Sequence, residues 1–292
     1  MKRLIKFLTL SFPLLLCLAA NAFAGQLEDR LIDAADKGDA ATVQSLLDQG
    51  ANIEAQANNF GGIGGTPLMY AAGKGHTDVV RLLLDRGANI EGKDAWGMTA
   101  LYEAAMGNHP DTERLLIERG ANVNVVSSLG NMTALMQAAG NDQADIVGLM
   151  IEKGADVNMK DSDGYTALTQ THSIDVARLL IEKGADINGA SGSKHTPVIG
   201  AVSKGNLDLL KFLLDKGANV NAAGKDGKTA LIMAAEKDQI DFVAALIRKG
   251  ADVKAKDKNG DTALAIAKKK GYAEVVHVLS ASPKRAKRKH GK

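Results

Sequence analysis

Gly50-Ala51-Asn52-Ile53 returns six times along the chain, as Gly87-Ala88-Asn89-Ile90, Gly120-Ala121-Asn122-Val123, Gly154-Ala155-Asp156-Val157, Gly184-Ala185-Asp186-Ile187, Gly217-Ala218-Asn219-Val220 and Gly250-Ala251-Asp252-Val253. Successive glycines lie 37, 33, 34, 30, 33 and 33 residues apart. A period in this range marks one supersecondary unit stacked many times. Upstream of the glycine runs an aliphatic segment such as Val79-Val80-Arg81-Leu82-Leu83-Leu84, apolar at helical spacing. The glycine itself is free to take the left-handed conformation that ends a helix and satisfies its last carbonyls.

A second element precedes each aliphatic segment. Thr66-Pro67-Leu68, Thr99-Ala100-Leu101, Thr133-Ala134-Leu135, Thr166-Ala167-Leu168, Thr196-Pro197-Val198, Thr229-Ala230-Leu231 and Thr262-Ala263-Leu264 place a hydroxyl where a helix N-cap needs one, twice with proline at the first helical position. Small residues follow, as in Ala71-Ala72, Ala104-Ala105, Ala138-Ala139 and Ala234-Ala235, and let neighbouring helices approach closely. A break such as Gly75-His76 then separates two helices within each unit. Segments such as Asp161-Ser162-Asp163-Gly164 and Asp257-Lys258-Asn259-Gly260 read as reverse turns.

The units are not identical. The first, about Leu27 to Ala55, has no turn in front of it and reads as an N-terminal cap. Asn58-Asn59-Phe60-Gly61-Gly62-Ile63-Gly64-Gly65 is an insertion that accounts for the spacing of 37. Thr166 to Asp175 spans nine residues against twelve from Thr66 to Asp78, so the first helix of the fifth unit is expected to end early. The last unit, Asp257 to Ala281, carries Lys268-Lys269-Lys270 and reads as a solvent-facing cap.

Taken in order, Asp-x-x-Gly-x-Thr-Pro-Leu, Ala-Ala, Gly-His, Val-Val-x-Leu-Leu-Leu and Gly-Ala-Asn form the ankyrin-repeat pattern. The chain resembles that family from about Leu27 to Ala281, most fully between Thr66 and Glu91. The resemblance implies an all-α repeat solenoid of about eight units including caps, each a pair of antiparallel helices with a projecting β-hairpin loop. The chain departs from the family at the histidine of Thr-Pro-Leu-His, replaced by Met69, Tyr102, Met136, Thr169, Ile199, Ile232 and Ala265. Each copy is therefore expected to lack the internal hydrogen bond that this histidine makes, with apolar packing in its place.

Both ends differ from the repeat region, residues 25–281. Residues 1–24 read as a signal peptide: Lys2, Arg3 and Lys6, the apolar run Phe7 to Ala20, and Ala22-Phe23-Ala24 before a cut after Ala24. A retained membrane anchor is disfavoured by Ser11 and Pro13, and lipid anchoring through Cys17 by the bulky Leu16 before it. The leader points to export, to the periplasm of a Gram-negative bacterium, with lipid-anchored or secreted protein as the alternatives. Cleavage leaves 268 residues and no cysteine, so stability comes from packing. The formal charge of +2 becomes −1 without the leader and about −7 without the tail, residues 282–292, which carries Lys284, Arg285, Lys287, Arg288, Lys289 and Lys292. The tail reads as a disordered basic arm for anionic lipid, envelope polymer or an acidic partner. An export signal argues against a nucleic-acid role.

Catalytic motifs do not assemble. Ser191-Gly192-Ser193-Lys194 has Ser-x-x-Lys spacing but falls at an expected loop tip, and Gly61 to Gly65 lacks the lysine of a phosphate loop. His76, His109, His172, His195 and His277 lie about one per repeat and read as turn and capping residues. Asp161, Asp163 and Asp257 read as turn formers, since no calcium loop surrounds them. No catalytic residue, cofactor or metal is assigned. The resemblance implies protein binding on hairpin tips and the inner-helix groove, which map to Asn59, Phe60, Ala95, Trp96, Met98, Leu129, Met132, Ser162, Tyr165, Ser193, His195, Asp226, Lys228 and Asn259. Phe60, Trp96, Met98, Met132 and Tyr165 are expected to form an apolar strip, with folding of Trp96 onto a neighbouring hairpin as the alternative. The role expected is a monomeric, non-enzymatic scaffold or stabiliser, or an inhibitor that occludes an enzyme.

Overall fold

A computed structural model describes residues 25–56, 64–189, 195–224 and 226–281. The leader, Asn59 and Phe60, Ser193 with the rest of its loop, and the basic tail lie outside the described residues. Sixteen helices in eight pairs, and no strand, make up the described residues, as expected of an all-α repeat solenoid. They divide into two compact units: one runs to Ala138 and takes in Asp145–Ala155, the other holds Ala139–Ala144 and the chain from Asp156.

The first unit contains α1 (25–37), α2 (Ala40–Asp48), α3 (Pro67–Gly73), α4 (Thr77–Asp85), α5 (Ala100–Met106) and α6 (Pro110–Glu118), with α7 (Ala134–Gly140) up to Ala138 and most of α8 (Ala144–Glu152). The inner helices α3 and α5 pack side by side, and α2, α4 and α6 follow one another as the outer row. The second unit repeats the scheme. Its inner helices are α9 (Ala167–Gln170), α11 (Pro197–Lys204), α13 (Ala230–Glu236) and α15 (Ala263–Lys270); its outer row is α10 (Ile174–Glu182), α12 (Leu207–Asp215), α14 (Ile240–Arg248) and α16 (Ala273–Ala281).

Local chemistry sets these boundaries. Thr66, Thr99, Thr133, Thr196, Thr229 and Thr262 each accept the amide three residues on, at 3.1 to 3.4 Å. The alanine pairs 71–72, 104–105 and 234–235 are fully buried, so the methyl is the whole side chain that the inner-helix contact admits. The seven glycines of Gly-Ala-Asn/Asp all have φ between 87° and 92°. Between the two helices of a pair the same left-handed step is taken by Gly38, Gly75, Asn108, Asp142, Gly205, Asp238 or Gly271, the types that tolerate it best.

A polar ladder explains why Asn or Asp always follows Gly-Ala. Asn52, Asn89, Asn122, Asp156, Asp186, Asn219 and Asp252 each accept the amide two residues on at 2.9 to 3.0 Å, forming Asx turns. The residue two positions on then reaches the next copy. In the first unit Glu54 accepts from the Asn89 amide and Glu91 from that of Asn122, both at 2.7 Å. In the second, Asn158, Asn188 and Asn221 accept from Asp186, Asn219 and Asp252 at 2.7 to 2.8 Å.

Three expectations are revised. Among the described residues, the hairpin loops are turns with at most one isolated bridge each, Val126 with Thr133, Ala223 with Thr229 and Lys256 with Thr262. His76 and His109 stand at the N-cap positions of α4 and α6, but their rings do not cap: His76 Nε2 donates to the Asp36 carbonyl at 2.9 Å and His109 Nε2 to that of Gly73 at 3.1 Å, stapling each pair to the one before. A Cβ on Gly75 would lie 2.5 Å from His109 Nδ1, so the glycine also makes room for the ring. Of the residues replacing the family histidine, Met69, Tyr102, Met136, Ile199 and Ile232 are buried, as expected. Thr169 is the exception in kind, because it keeps a polar role: its Oγ1 accepts from the Thr166 amide and donates to the Thr166 carbonyl, both at 2.8 Å. Ala265 is exposed.

The fifth pair opens with the four-residue α9, shortened as the spacing predicts. Neighbours satisfy what it loses. The Asp142 carboxylate accepts from the amides of His172 and Ser173 and from Thr171 Oγ1, all at 2.9 Å. Lys204 Nζ donates to the carbonyls of Thr169 and Gln170 at 3.2 and 2.6 Å. Burial pushes the Lys204 ammonium below its ordinary pKa, against the pull of Asp142.

Asp142→Ala removes that acceptor and a residue suited to φ 57°, and is expected to destabilise by about 1–2 kcal/mol, with Asp142→Asn costing less. Urea melts that do not separate the two variants would contradict the capping role. Leu83 is 0% exposed whereas Leu82 is half-buried, so Leu83→Ala is expected to cost about 2–5 kcal/mol and Leu82→Ala clearly less. Equal melting temperatures would refute the assigned helix face.

Candidate functional site

Positions three apart on a helix share a face. On α3 these are Tyr70 and Gly73, and on α5 Glu103 and Met106, the fourth and seventh residues after each capping threonine. Together with Ile32 and Asp36 of α1, Met69 of α3, and Asp94, Trp96 and Met98 of the loop before α5, they line a groove of about 880 Å³. Asp29, Asp33, Gly65 and Lys74 complete the lining, and the walls are mostly apolar.

Asp94 shapes the loop. Its Oδ1 accepts from the amides of Trp96 at 2.9 Å and Met98 at 2.8 Å. That turn leaves Trp96 37% exposed and Met98 only 7% exposed. The Ser128 amide, on the following loop, donates to the Trp96 carbonyl at 2.6 Å. Leu129 beside it is 52% exposed, as is Met106. Trp96, Met106 and Leu129 are the large apolar side chains most open to solvent among the described residues.

Electrostatics in the groove is one-sided. Burial, reinforced by the Asp94 charge, raises the Glu103 carboxyl from its ordinary 4.5 to about 7. Gly73 makes its burial feasible: a Cβ there would lie 3.3 Å from Glu103 Oε2. Burial also raises the Tyr70 hydroxyl, helped by Asp36, Glu103 and Asp94.

Among the residues singled out from sequence, Trp96 and Met98 line the groove, with Met98 turned inward as core rather than free surface. Ala95 is exposed beside them, and Leu129 and Met132 sit on the next loop, the latter half-buried. Ser162, Tyr165, His195, Asp226, Lys228 and Asn259 belong to the second unit. There Tyr165 stacks on His195 with ring centroids 5.6 Å apart, Lys228 pairs with Glu236 at 2.6 Å, and Asp226 pairs with Lys258 at 2.7 Å. Ser162 and Asn259 are exposed. Asp161 Oδ1 accepts from the amides of Asp163 and Tyr165, and Asp257 Oδ1 from those of Asn259 and Asp261, so both are turn formers. Sequence reasoning missed Ile32, Met69, Tyr70, Glu103 and Met106. The signal was the three-residue spacing on the inner helices.

A family model described as ankyrin repeats in three copies matches residues 31–127, 125–191, 170–257 and 198–289. The chain belongs to the ankyrin-repeat family. Ankyrin repeats are generally protein–protein interaction modules, and the family is typically non-enzymatic. No curated protein matches this ankyrin-repeat chain.

Because the folded protein holds the Glu103 proton more tightly than the unfolded chain, unfolding releases it, and stability falls as pH rises from 4.5 to about 7. Glu103→Gln is expected to melt above wild type near pH 8 and with it near pH 4. Coincident melting curves near pH 8 would remove the buried-carboxyl assignment.

Proposed function

We propose that this chain is an exported, non-enzymatic docking protein that holds a partner protein in the groove of its first unit. One observation carries the reading: Trp96, Met106 and Leu129, the three large apolar side chains most exposed among the described residues, all belong to the groove or to the adjoining loop. Exposed apolar surface gathered in one place marks an interaction site, and tryptophan is a frequent anchor in such sites.

The docked partner is held as a scaffold would hold it. The groove is open to solvent, and Asp94, which organises its loop, is occupied with backbone amides rather than aimed at a reacting group. The leader-like composition of residues 1–24 supports a working place in the periplasm. The six cations of residues 282–292 support a secondary, weak attraction to anionic envelope surfaces.

Affinity capture from the envelope fraction with wild type and Trp96→Ala tests the reading. Truncating a central aromatic anchor is expected to lower recovery of the bound partner by about tenfold or more, with the melting curve little changed. Equal recovery by both proteins would remove Trp96 from the site.

A further inference from the structure

The groove of the first unit carries an unbalanced charge. Asp29, Asp33 and Asp36 of α1, Asp94 of the loop and Glu103 of α5 share it with a single ammonium, Lys74. Two of the five carboxylates are engaged: Asp33 pairs with Lys37 at 2.7 Å, and Asp94 accepts from the Trp96 and Met98 amides. Among the described residues, nothing donates a hydrogen bond to the carboxylates of Asp29, Asp36 or Glu103. Ile32, Met69, Tyr70, Trp96 and Met106 line the same groove.

That combination selects against most occupants. A neutral apolar segment would cover the floor but strip water from the Asp29 and Asp36 carboxylates without replacing it and would leave Glu103 no partner for its ionised form, and buried unpaired charge is costly. A purely basic segment has the opposite fault. Residues 282–292 of this chain supply six cations but no aliphatic side chain larger than Pro283 or Ala286, so they would neutralise the acids and leave the apolar floor wet. Lysine and arginine stems add apolar cover and deliver charge at the tip, but filling the floor as well takes large apolar side chains between them, which the tail lacks. The faces of Trp96 and Tyr70 attract the same cations, and the thioethers of Met69 and Met106 adapt to varied apolar shapes.

Resting on the docking reading above, we infer that the groove takes a cationic segment of a partner protein in which lysine or arginine alternates with large aliphatic or aromatic residues. The cations meet Asp29, Asp36 and Glu103 while the apolar side chains fill the floor between Ile32, Met69 and Met106. The sign of the partner's charge is thereby assigned as well as its class.

Random peptides displayed on phage and selected on the full chain provide the test. Lysine or arginine interleaved with leucine, isoleucine, methionine, phenylalanine or tryptophan is the composition expected to be enriched. A synthetic peptide of the selected sequence is expected to bind wild type at least about tenfold more tightly than the triple variant Asp29→Asn, Asp36→Asn, Glu103→Gln, and to weaken as salt is raised. The three replacements are isosteric, and melting curves confirm the fold; Trp96→Ala with Met106→Ser provides an independent second variant, expected to weaken the same peptide by a similar factor. Enrichment of acidic or uncharged peptides, tighter binding of a peptide of residues 282–292, or equal affinity for the triple variant would each overturn the inference. If the triple variant still captures the envelope partner as wild type does, the cationic occupant is refuted and the docking reading survives. A chain that selects no peptide and retains no protein refutes both.

Discussion

From α2 onward no helix exceeds nine residues, and α9 has four. Isolated helices of that length are unstable in water, because so few hydrogen bonds follow a costly nucleus. Each pair therefore persists through what its neighbour in the stack covers, and lateral contact is the interaction on which the rest depends. Apolar burial supplies the bulk of it, with fully buried Leu46, Leu83 and Leu116 in the outer row of the first unit and Leu180, Leu210 and Leu246 in that of the second. Polar side chains add direction. His76 and His109 bind carbonyls of the preceding pair, and Glu54, Glu91, Asn158, Asn188 and Asn221 bind amides of the following one. These bonds join a side chain to backbone, so they fix register in a way that greasy contact alone does not.

The same principle accounts for the damaged copy. A four-residue helix leaves carbonyls and amides without intrahelical partners, and Asp142 and Lys204 supply them from the elements on either side. Loss of a turn is tolerable where neighbouring polar groups are already in place, because the stack, rather than the helix, is the stable object.

Much of this was legible because local geometry demands particular residues. A helix that stops in a left-handed step asks for Gly87 and its equivalents, an N-cap asks for Thr66, and a tight inner contact asks for Ala71 and Ala72. What stayed hidden depends on which surface remains uncovered after stacking. Trp96 and Met98 are two residues apart and equally apolar, yet the Asp94 turn leaves one open and buries the other. Glu103 reads as one more charged residue until Gly73, on another helix, gives its carboxylate somewhere to be buried. The ring contacts of His76 and His109 stayed hidden for a similar reason: a residue at a helix start whose ring contacts a chain segment more than thirty residues earlier gives no sign of it locally.

Register also separates what holds the fold from what is free to bind. The capping threonine, the small residues after it and the terminal glycine hardly change from copy to copy, since stacking constrains each of them. The fourth and seventh positions after the threonine vary more, and they read Tyr70 and Gly73, Glu103 and Met106, Gln137 and Gly140, Gln170 and Ser173, Gly200 and Ser203, Met233 and Glu236, then Ile266 and Lys269. Only α3 and α5 combine at these positions an aromatic ring, a thioether and a half-buried carboxyl, and only there does the preceding loop add Trp96. A carboxyl held at about 7 in a mostly apolar groove is a cost to the fold. Stacking does not require that cost; under the proposed docking of a cationic segment, a cation brought close to Glu103 would stabilise the ionised form that burial alone disfavours.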